Sequence, residues 1–155
     1  MFSQPIEVHR ADVSDAGIVV DLARRLLSEL GGFQTGSVKD QEAFCARLLA
    51  GDHYTALLAR DAQGVPLGLL TLNEVAALYV DGYVGWIQEL YVAPEARSFG
   101  VGQQLLAAAQ AYGQERGWKR LEVNTPDAEA WPRTVAFYRR EGFQGGSYHL
   151  RMPFS

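Results

Sequence analysis

An apolar strand, a turn with two glycines and an amphipathic helix follow one another in this sequence and constrain its fold most strongly. The strand runs to Val92, the turn contains Gly100 and Gly102, and the helix continues to about Arg116. The first amides of a helix lack partners within the helix, and the helix dipole makes this end attractive to phosphate. Glycine also allows a ligand to approach the backbone closely. The segment therefore predicts a phosphate-binding turn.

The residues after the turn narrow the choice of phosphate ligand. A P-loop requires Gly-Lys-Ser/Thr at the start of the helix, whereas Gly102 is followed by Gln103 and Gln104. A dinucleotide-binding fold requires three glycines in the first strand–helix unit, and this turn lies in the middle of the chain. A lone Gly-x-Gly pattern is also typical of a structural turn without a ligand, and this alternative stays open at this point.

Hydrophobic periodicity predicts a mixed α/β sheet of six to seven strands with helices on both faces. The predicted order is β-α-α-β-β-β-α-β-α-β, with the first helix capped by Asp12 or Ser14 and ended by the Gly31-Gly32 pair. The predicted strands are 7–10, 53–60, 66–80, 83–92, 118–124 and 148–152, with an extra short strand at 143–145. The later helices are predicted at 38–49, 102–116 and 133–141.

Length and charge exclude several classes of protein. The 155 residues predict a single domain over 1–155, and the net charge of -4 argues against nucleic-acid binding, which depends on Lys and Arg. No apolar stretch approaches the length of a membrane span, and 1–10 lacks the apolar region of a signal peptide, so we expect a cytoplasmic protein without a membrane partner. The single cysteine, Cys45, is typical of a buried core position.

Two motifs resemble those of the GNAT superfamily of N-acetyltransferases. Arg97 to Gly102 matches the signature Arg/Gln-x-x-Gly-x-Gly/Ala, which lies between the fourth strand and the third helix of that family. The second motif is a helix that carries Phe/Leu-Tyr and ends at Gly-Phe, and it matches Phe137-Tyr138 and Gly142-Phe143. The two motifs occur in the family's order, and the order of elements agrees along essentially the whole chain.

The resemblance implies an acyl-CoA-dependent N-acyltransferase that transfers acetyl from acetyl-CoA to a primary amine by direct attack, without a metal. The acceptor is a small-molecule amine or a protein amine, and a homodimer is one possible assembly. Turn amides hold the CoA pyrophosphate in the family, which corresponds to Arg97, Ser98, Phe99, Gly100, Val101, Gly102 and Gln103. The fourth strand pairs with the pantetheine amides, which corresponds to Leu90, Tyr91 and Val92.

Two catalytic residues are expected from the same resemblance. Tyr138 corresponds to the tyrosine that donates a proton to the departing CoA sulfur; a core tyrosine beside Phe137 is the alternative. Glu89 is our candidate for the general base, because relatives often carry Asp or Glu there and burial would raise its pKa. In a regular strand Glu89 faces away from Gln88 and Trp86. The alternative to a general base is that Glu89 is an ordinary exposed or salt-bridged glutamate.

The chain also departs from the family pattern. Ser98 and Phe99 stand where many relatives have Gly and a basic residue, so Arg139, Arg140 or Lys119 are expected to contact the CoA 3′-phosphate instead. Trp131 replaces the family's asparagine, and Asn124 is expected to supply an amide to the cofactor. A non-catalytic acyl-CoA-binding sensor is the alternative function that these motifs allow. The three scattered histidines show no spacing typical of a metal site.

Overall fold

The computed structural model of the chain describes residues 5–34, 36–146 and 149–154, and these contain five strands and four α-helices. The strands are β1 (Glu7–Arg10), β2 (Tyr54–Arg60), β3 (Pro66–Ala77), β4 (Gly82–Val92) and β5 (Leu121–Val123). The helices are α1 (Ala16–Glu29), α2 (Val38–Ala50), α3 (Val101–Arg116) and α4 (Pro132–Arg140). Short 3-10 helices precede α1, join β3 to β4 and follow β4.

The strands form one mixed sheet in the order β1-β2-β3-β4-β5. The first three pairings are antiparallel, and β4 pairs in parallel with β5 through a crossover that contains α3. This last pairing is short, because it joins only Gly85–Ile87 of β4 to Leu121–Val123 of β5. The second half of β4 therefore stays paired with β3 but has no partner strand on the side of β5.

Helices cover both faces of this sheet, as the periodicity predicts. On one face, α1 and α2 bury a core against β2, β3 and β4 in which Leu22 and Leu58 are almost fully enclosed. On the other face, α3 and α4 bury Leu105 and Tyr138 against Leu72. Within the described ranges, no helix has both the length and the apolar character needed to cross a bilayer.

The prediction of six to seven strands is wrong, because the described residues form five. The expected strand at 148–152 begins at Tyr148, which lies outside the described residues, and 149–152 has no strand conformation. The expected strand at 143–145 is also missing from the described chain. Gly142 and Gly145 have φ angles of +104° and +95°, and such left-handed residues interrupt an extended chain.

Strand β5 is shorter than predicted because Trp118 terminates α3 instead of extending the strand. Its amide donates to the Gly113 carbonyl at 2.9 Å, and its ring fills the space beside Gly85. A Cβ at Gly85 would lie 2.2 Å from this ring, so the site requires glycine. Strand β3 likewise ends early, at Ala77, where a 3-10 turn leads to Asp81 with φ of +57°.

Candidate functional site

Helix α3 begins with a backbone geometry that suits a phosphate. Its N-cap, Gly100, has a φ of +84° and no side chain caps this end. The first intrahelical bond runs from the Gln104 amide to the Gly100 carbonyl at 3.0 Å. The amides of Val101, Gly102 and Gln103 precede this bond and are therefore the groups that a helix leaves without internal partners. Their predicted role in pyrophosphate binding fits this arrangement and stays a prediction.

Two small residues shape the same turn. Ser98 has a φ of +69°, a left-handed conformation that side chains with a Cβ rarely adopt. Gly102 lies close to α4, because a Cβ added there would be 3.3 Å from the ring of Phe137 and 3.9 Å from Val92. The start of α3 therefore packs closely against α4 at Gly102, whereas the Phe99 side chain in the turn is 42% exposed.

Arg97 fastens the start of the turn to its surroundings. Its Nε donates to the Val92 carbonyl at 2.9 Å, and its Nη2 lies 2.5 Å from Glu29 at the end of α1. The guanidinium also lies 5.8 Å from the centre of the Tyr91 ring. Arg97 thus connects the turn to both β4 and α1.

The residues predicted to meet pantetheine lie where β4 and β5 separate. The last pair joins Ile87 to Val123, and no described residue of β5 pairs with Leu90, Tyr91 or Val92. An unpaired strand edge offers amide and carbonyl groups to a ligand that carries amides. The predicted role of these residues in holding pantetheine is therefore compatible with the sheet.

A β-bulge places the side chain of Glu89. Leu72 pairs with Ile87 and Leu70 with Leu90, so one residue of β3, Thr71, faces both Gln88 and Glu89 of β4. The Thr71 hydroxyl accepts from the Glu89 amide at 3.0 Å and donates to the Glu89 carboxylate. The bulge displaces the Glu89 amide from the regular ladder, and Thr71 satisfies it.

Burial dominates the electrostatics around Glu89. It raises the pKa of this carboxyl, while the hydrogen bond from Thr71 opposes the increase. On the same face of the sheet, burial and the Glu89 charge raise the pKa of Tyr54, and they raise that of Cys45 to about 11. Neither Thr71 nor Tyr54 was among the residues predicted from the sequence. The signal that could have identified Thr71 is a polar residue within the apolar run 67–72.

Tyr138 lies on the opposite face of the sheet from Glu89. Its side chain is 5% exposed and contacts the rings of Phe137 and Phe143 edge-on, with centroid distances of 5.5 and 5.3 Å. Burial raises the pKa of its phenol above the ordinary value of 10.0, so the hydroxyl keeps its proton at neutral pH. The burial of Tyr138 agrees with the interpretation as a core residue, and its protonated phenol is compatible with a proton donor. The donor role stays a prediction.

Two cavities flank β4. The first, of about 920 Å³, lies between β5 and α4 and includes Tyr138 and Asn124 in its lining. Asn124 is exposed there, and its Nδ2 lies 2.5 Å from Nδ1 of His149. The second, of about 570 Å³, lies on the α1 side and includes Tyr91. Neither lining contains Glu89 or the turn 97–103.

Comparison with known families agrees with these features. The family model described as "Acetyltransferase (GNAT) family" matches residues 21–143, a range that contains the turn, the bulge and Tyr138. The chain belongs to the GNAT family. The resemblance expected from the two motifs is thereby confirmed, and the described sheet and helices are those of a GNAT enzyme.

Individual relatives extend the comparison over nearly the whole chain. An aminoalkylphosphonate N-acetyltransferase of Salmonella typhimurium is 30% identical, covering 93% of this chain and 88% of the relative. An aminoglycoside acetyltransferase from an uncultured soil metagenomic sample superposes with a TM-score of 0.82 at 21% identity, covering 97% and 99%. A predicted acetyltransferase from Clostridium acetobutylicum, solved with acetyl-CoA, has a TM-score of 0.80 at 17% identity over 96% of each chain.

The activity of this GNAT enzyme is acetyl-CoA-dependent N-acetylation. Acetyl-CoA is the acyl donor, as the turn and the Tyr138 helix predict. The sensor interpretation, in which acetyl-CoA binds without turnover, is not needed to explain the site.

Proposed function

We propose that this enzyme acetylates the primary amine of a small molecule by direct attack on acetyl-CoA. The observation that carries the proposal is Glu89, a half-buried carboxyl with a raised pKa beside the unpaired edge of β4. Such a group accepts a proton near neutral pH more readily than an exposed glutamate does. The named relatives, which act on aminoalkylphosphonates and aminoglycosides, support a small-molecule acceptor.

The donor lies, in this proposal, along the gap between β4 and β5. The amides of Val101, Gly102 and Gln103 bind the pyrophosphate, and the edge of Leu90 to Val92 pairs with pantetheine. Ser98, Phe99 and the backbone of Arg97 complete the turn, and Asn124 contributes its amide from the end of β5. This placement presents the thioester to both faces of the sheet.

The reaction exchanges one bond for another and moves one proton overall. The amine nitrogen attacks the thioester carbonyl, the new C–N bond forms, and the C–S bond breaks. Glu89 accepts a proton from the amine on the α1 side of the sheet. Tyr138 donates its phenolic proton to the leaving sulfur on the α4 side, and solvent returns a proton from Glu89 to Tyr138.

Two substitutions test these roles. Tyr138→Phe keeps the buried ring but removes the donor, so we expect turnover to fall at least tenfold with little change in acetyl-CoA affinity. Glu89→Gln keeps the shape and removes the base, so the acidic limb of the pH–rate profile should disappear. Release of the CoA thiol from acetyl-CoA in the presence of a panel of amines measures turnover, and thermal shift measures acetyl-CoA binding. Unchanged turnover in Tyr138→Phe, or an unchanged profile in Glu89→Gln, would remove that residue from the mechanism.

A further inference from the structure

The cavity on the α1 side has a charge distribution that bears on the acceptor. It lies between α1, the segment that follows it and β4, and it has a volume of about 570 Å³. Its lining includes the charged residues Asp21, Arg24, Arg25 and Glu29, together with Tyr91. We refer to it below as the α1 cavity.

Ion pairs account for all but one of the charges at this cavity. Arg25 pairs with Asp21 at 3.1 Å, and Glu29 pairs with Arg97 at 2.5 Å. No carboxylate in the described part of the chain pairs with Arg24. Arg24 is therefore the charged side chain of the lining that has no ion-pair partner in the described part of the chain, because Arg97, which lies outside the lining, neutralises Glu29.

The Arg24 guanidinium is held on one side and open on the other. Its Nη1 donates to Oε1 of Gln41 at 2.8 Å and to the Gly36 carbonyl at 3.4 Å. Its Nε and Nη2 make no hydrogen bond to any described residue. Since no described buried side-chain nitrogen or oxygen lacks a partner, these two donors are accessible to solvent. The Nε–Nη2 edge is the fork with which arginine binds carboxylate or phosphate-like groups through two hydrogen bonds.

The cavity and the proposed base are connected through β4, although Glu89 is not part of the lining. Tyr91, which lines it, follows Glu89 by two residues and packs on the same face of the sheet. Residues two apart in a strand are separated by roughly 7 Å. One end of a small molecule in the α1 cavity can therefore contact Arg24 while its other end points along β4 toward Glu89.

We propose that Arg24 binds an anionic group of the acceptor, so that the enzyme selects small primary amines that also carry a phosphonate, phosphate or carboxylate. This inference rests on the proposed function, because it assigns the specificity of the same site. A polycationic amine is disfavoured, since the unpaired charge at the cavity is positive. The anion determines affinity, and the amine reacts beside Glu89.

The test compares acceptors that differ in charge. The wild-type enzyme is assayed with two amines that carry an anionic group, 2-aminoethylphosphonate and β-alanine, and with propylamine, which does not. We expect kcat/KM for whichever of the two anionic acceptors reacts faster to be at least tenfold higher than for propylamine. Arg24→Gln should raise KM for both anions about tenfold or more with little change in kcat, and leave propylamine unchanged. Arg47→Gln is the matched control, because Arg47 is an exposed arginine on α2 that lines neither cavity; it should keep the preference.

The outcomes separate this inference from the proposed function. Equal effects of Arg24→Gln on charged and neutral acceptors, or a wild-type preference for propylamine or a polyamine, would overturn the role of Arg24. Failure to acetylate any amine would instead overturn the proposed function, and calorimetric titration with 2-aminoethylphosphonate would then still test the anion site. Arg24→Lys keeps the charge without the fork and covers the case in which Arg24→Gln folds poorly; it should show an intermediate KM for the anions.

Discussion

At the scale of single residues, the central feature is the pair formed by Thr71 and Glu89. Burial favours the protonated carboxyl, while the hydroxyl of Thr71 donates to the carboxylate and favours the charged form. The same hydroxyl satisfies the Glu89 amide that the bulge displaces. Thr71 thus fixes the position of Glu89 and limits the increase of its pKa.

Thr71→Val should move the acidic limb of the pH–rate profile to higher pH. The substitution removes the hydrogen bond that lowers the pKa of Glu89 and leaves burial to act alone. It also leaves a buried amide without its partner, which costs about 1–3 kcal/mol of stability. Thr71→Ser keeps the hydroxyl and is the control. A profile in Thr71→Val that matched the wild type would show that Thr71 does not act on the base.

The candidate site was predictable from sequence only in part. The motifs placed Glu89 and Tyr138, and the structure puts them on opposite faces beside the β4–β5 gap. Thr71 and Arg24 belong to no local motif, because their partners lie 18 and 17 residues away along the chain. Contacts of this kind arise from register and helix packing, which a one-dimensional pattern does not contain.

At the scale of elements, the turn before α3 contains an unfavourable backbone conformation. Ser98 adopts a left-handed φ of +69° where many GNAT sequences have glycine, and such a conformation costs a residue with a Cβ roughly 1–2 kcal/mol. Glycine in turn loses more chain entropy on folding, by about 0.5–1 kcal/mol. The serine therefore makes the turn less stable than its glycine counterpart.

Ser98→Gly should raise the unfolding free energy by about 0.5–1 kcal/mol, the difference between these two effects. Denaturant unfolding measures it. Gly100→Ala is the opposing control, because Gly100 has a φ of +84° and an added Cβ is strained there; it should destabilise the protein. A Ser98→Gly variant less stable than the wild type would show that the serine side chain stabilises the turn by more than the strain costs.

Helices and long strands were predictable because their signals are local and repeated. Helix α1 shows apolar residues every three to four positions, and α2 begins at the predicted Val38. The chain after α4 was not predictable in the same way. Its alternating apolar residues suggested a strand, yet Leu150, Met152 and Phe154 are 90%, 82% and 93% exposed. Alternating apolar residues show that a segment is able to form a strand. The strand forms only where the fold also offers it an unpaired sheet edge.

At the scale of the whole molecule, the half-buried carboxyl of Glu89 makes the stability of the fold depend on pH. The pKa of Glu89 is raised in the folded state above its ordinary value of 4.5. Folded molecules therefore bind more protons than unfolded ones between 4.5 and the raised pKa. Below this pH window Glu89 is protonated in both states and burial of its charge does not destabilise the fold. Above the window the carboxyl is fully charged in its half-buried position in the folded state, so the unfolding free energy falls as the pH rises through the window.

Glu89→Gln should raise the melting temperature at neutral pH and leave it nearly unchanged near pH 4. The amide keeps an oxygen that can accept from Thr71, while the charge that must be buried at neutral pH is removed. Glu115→Gln is a control at an exposed position on α3 and accounts for the change in net charge alone. A stabilisation of Glu89→Gln that did not depend on pH would contradict the linkage.

The ion pair between Arg97 and Glu29 joins two places that the substrates occupy in our proposals. Arg97 begins the turn that faces the donor, and Glu29 lines the cavity that faces the acceptor. A donor that moves Arg97 changes the charge balance of that cavity. Coupling of this kind is reciprocal, so the acceptor must alter donor affinity by the same factor. The cooperativity between the two substrates would then be set in part by one ion pair at the end of α1.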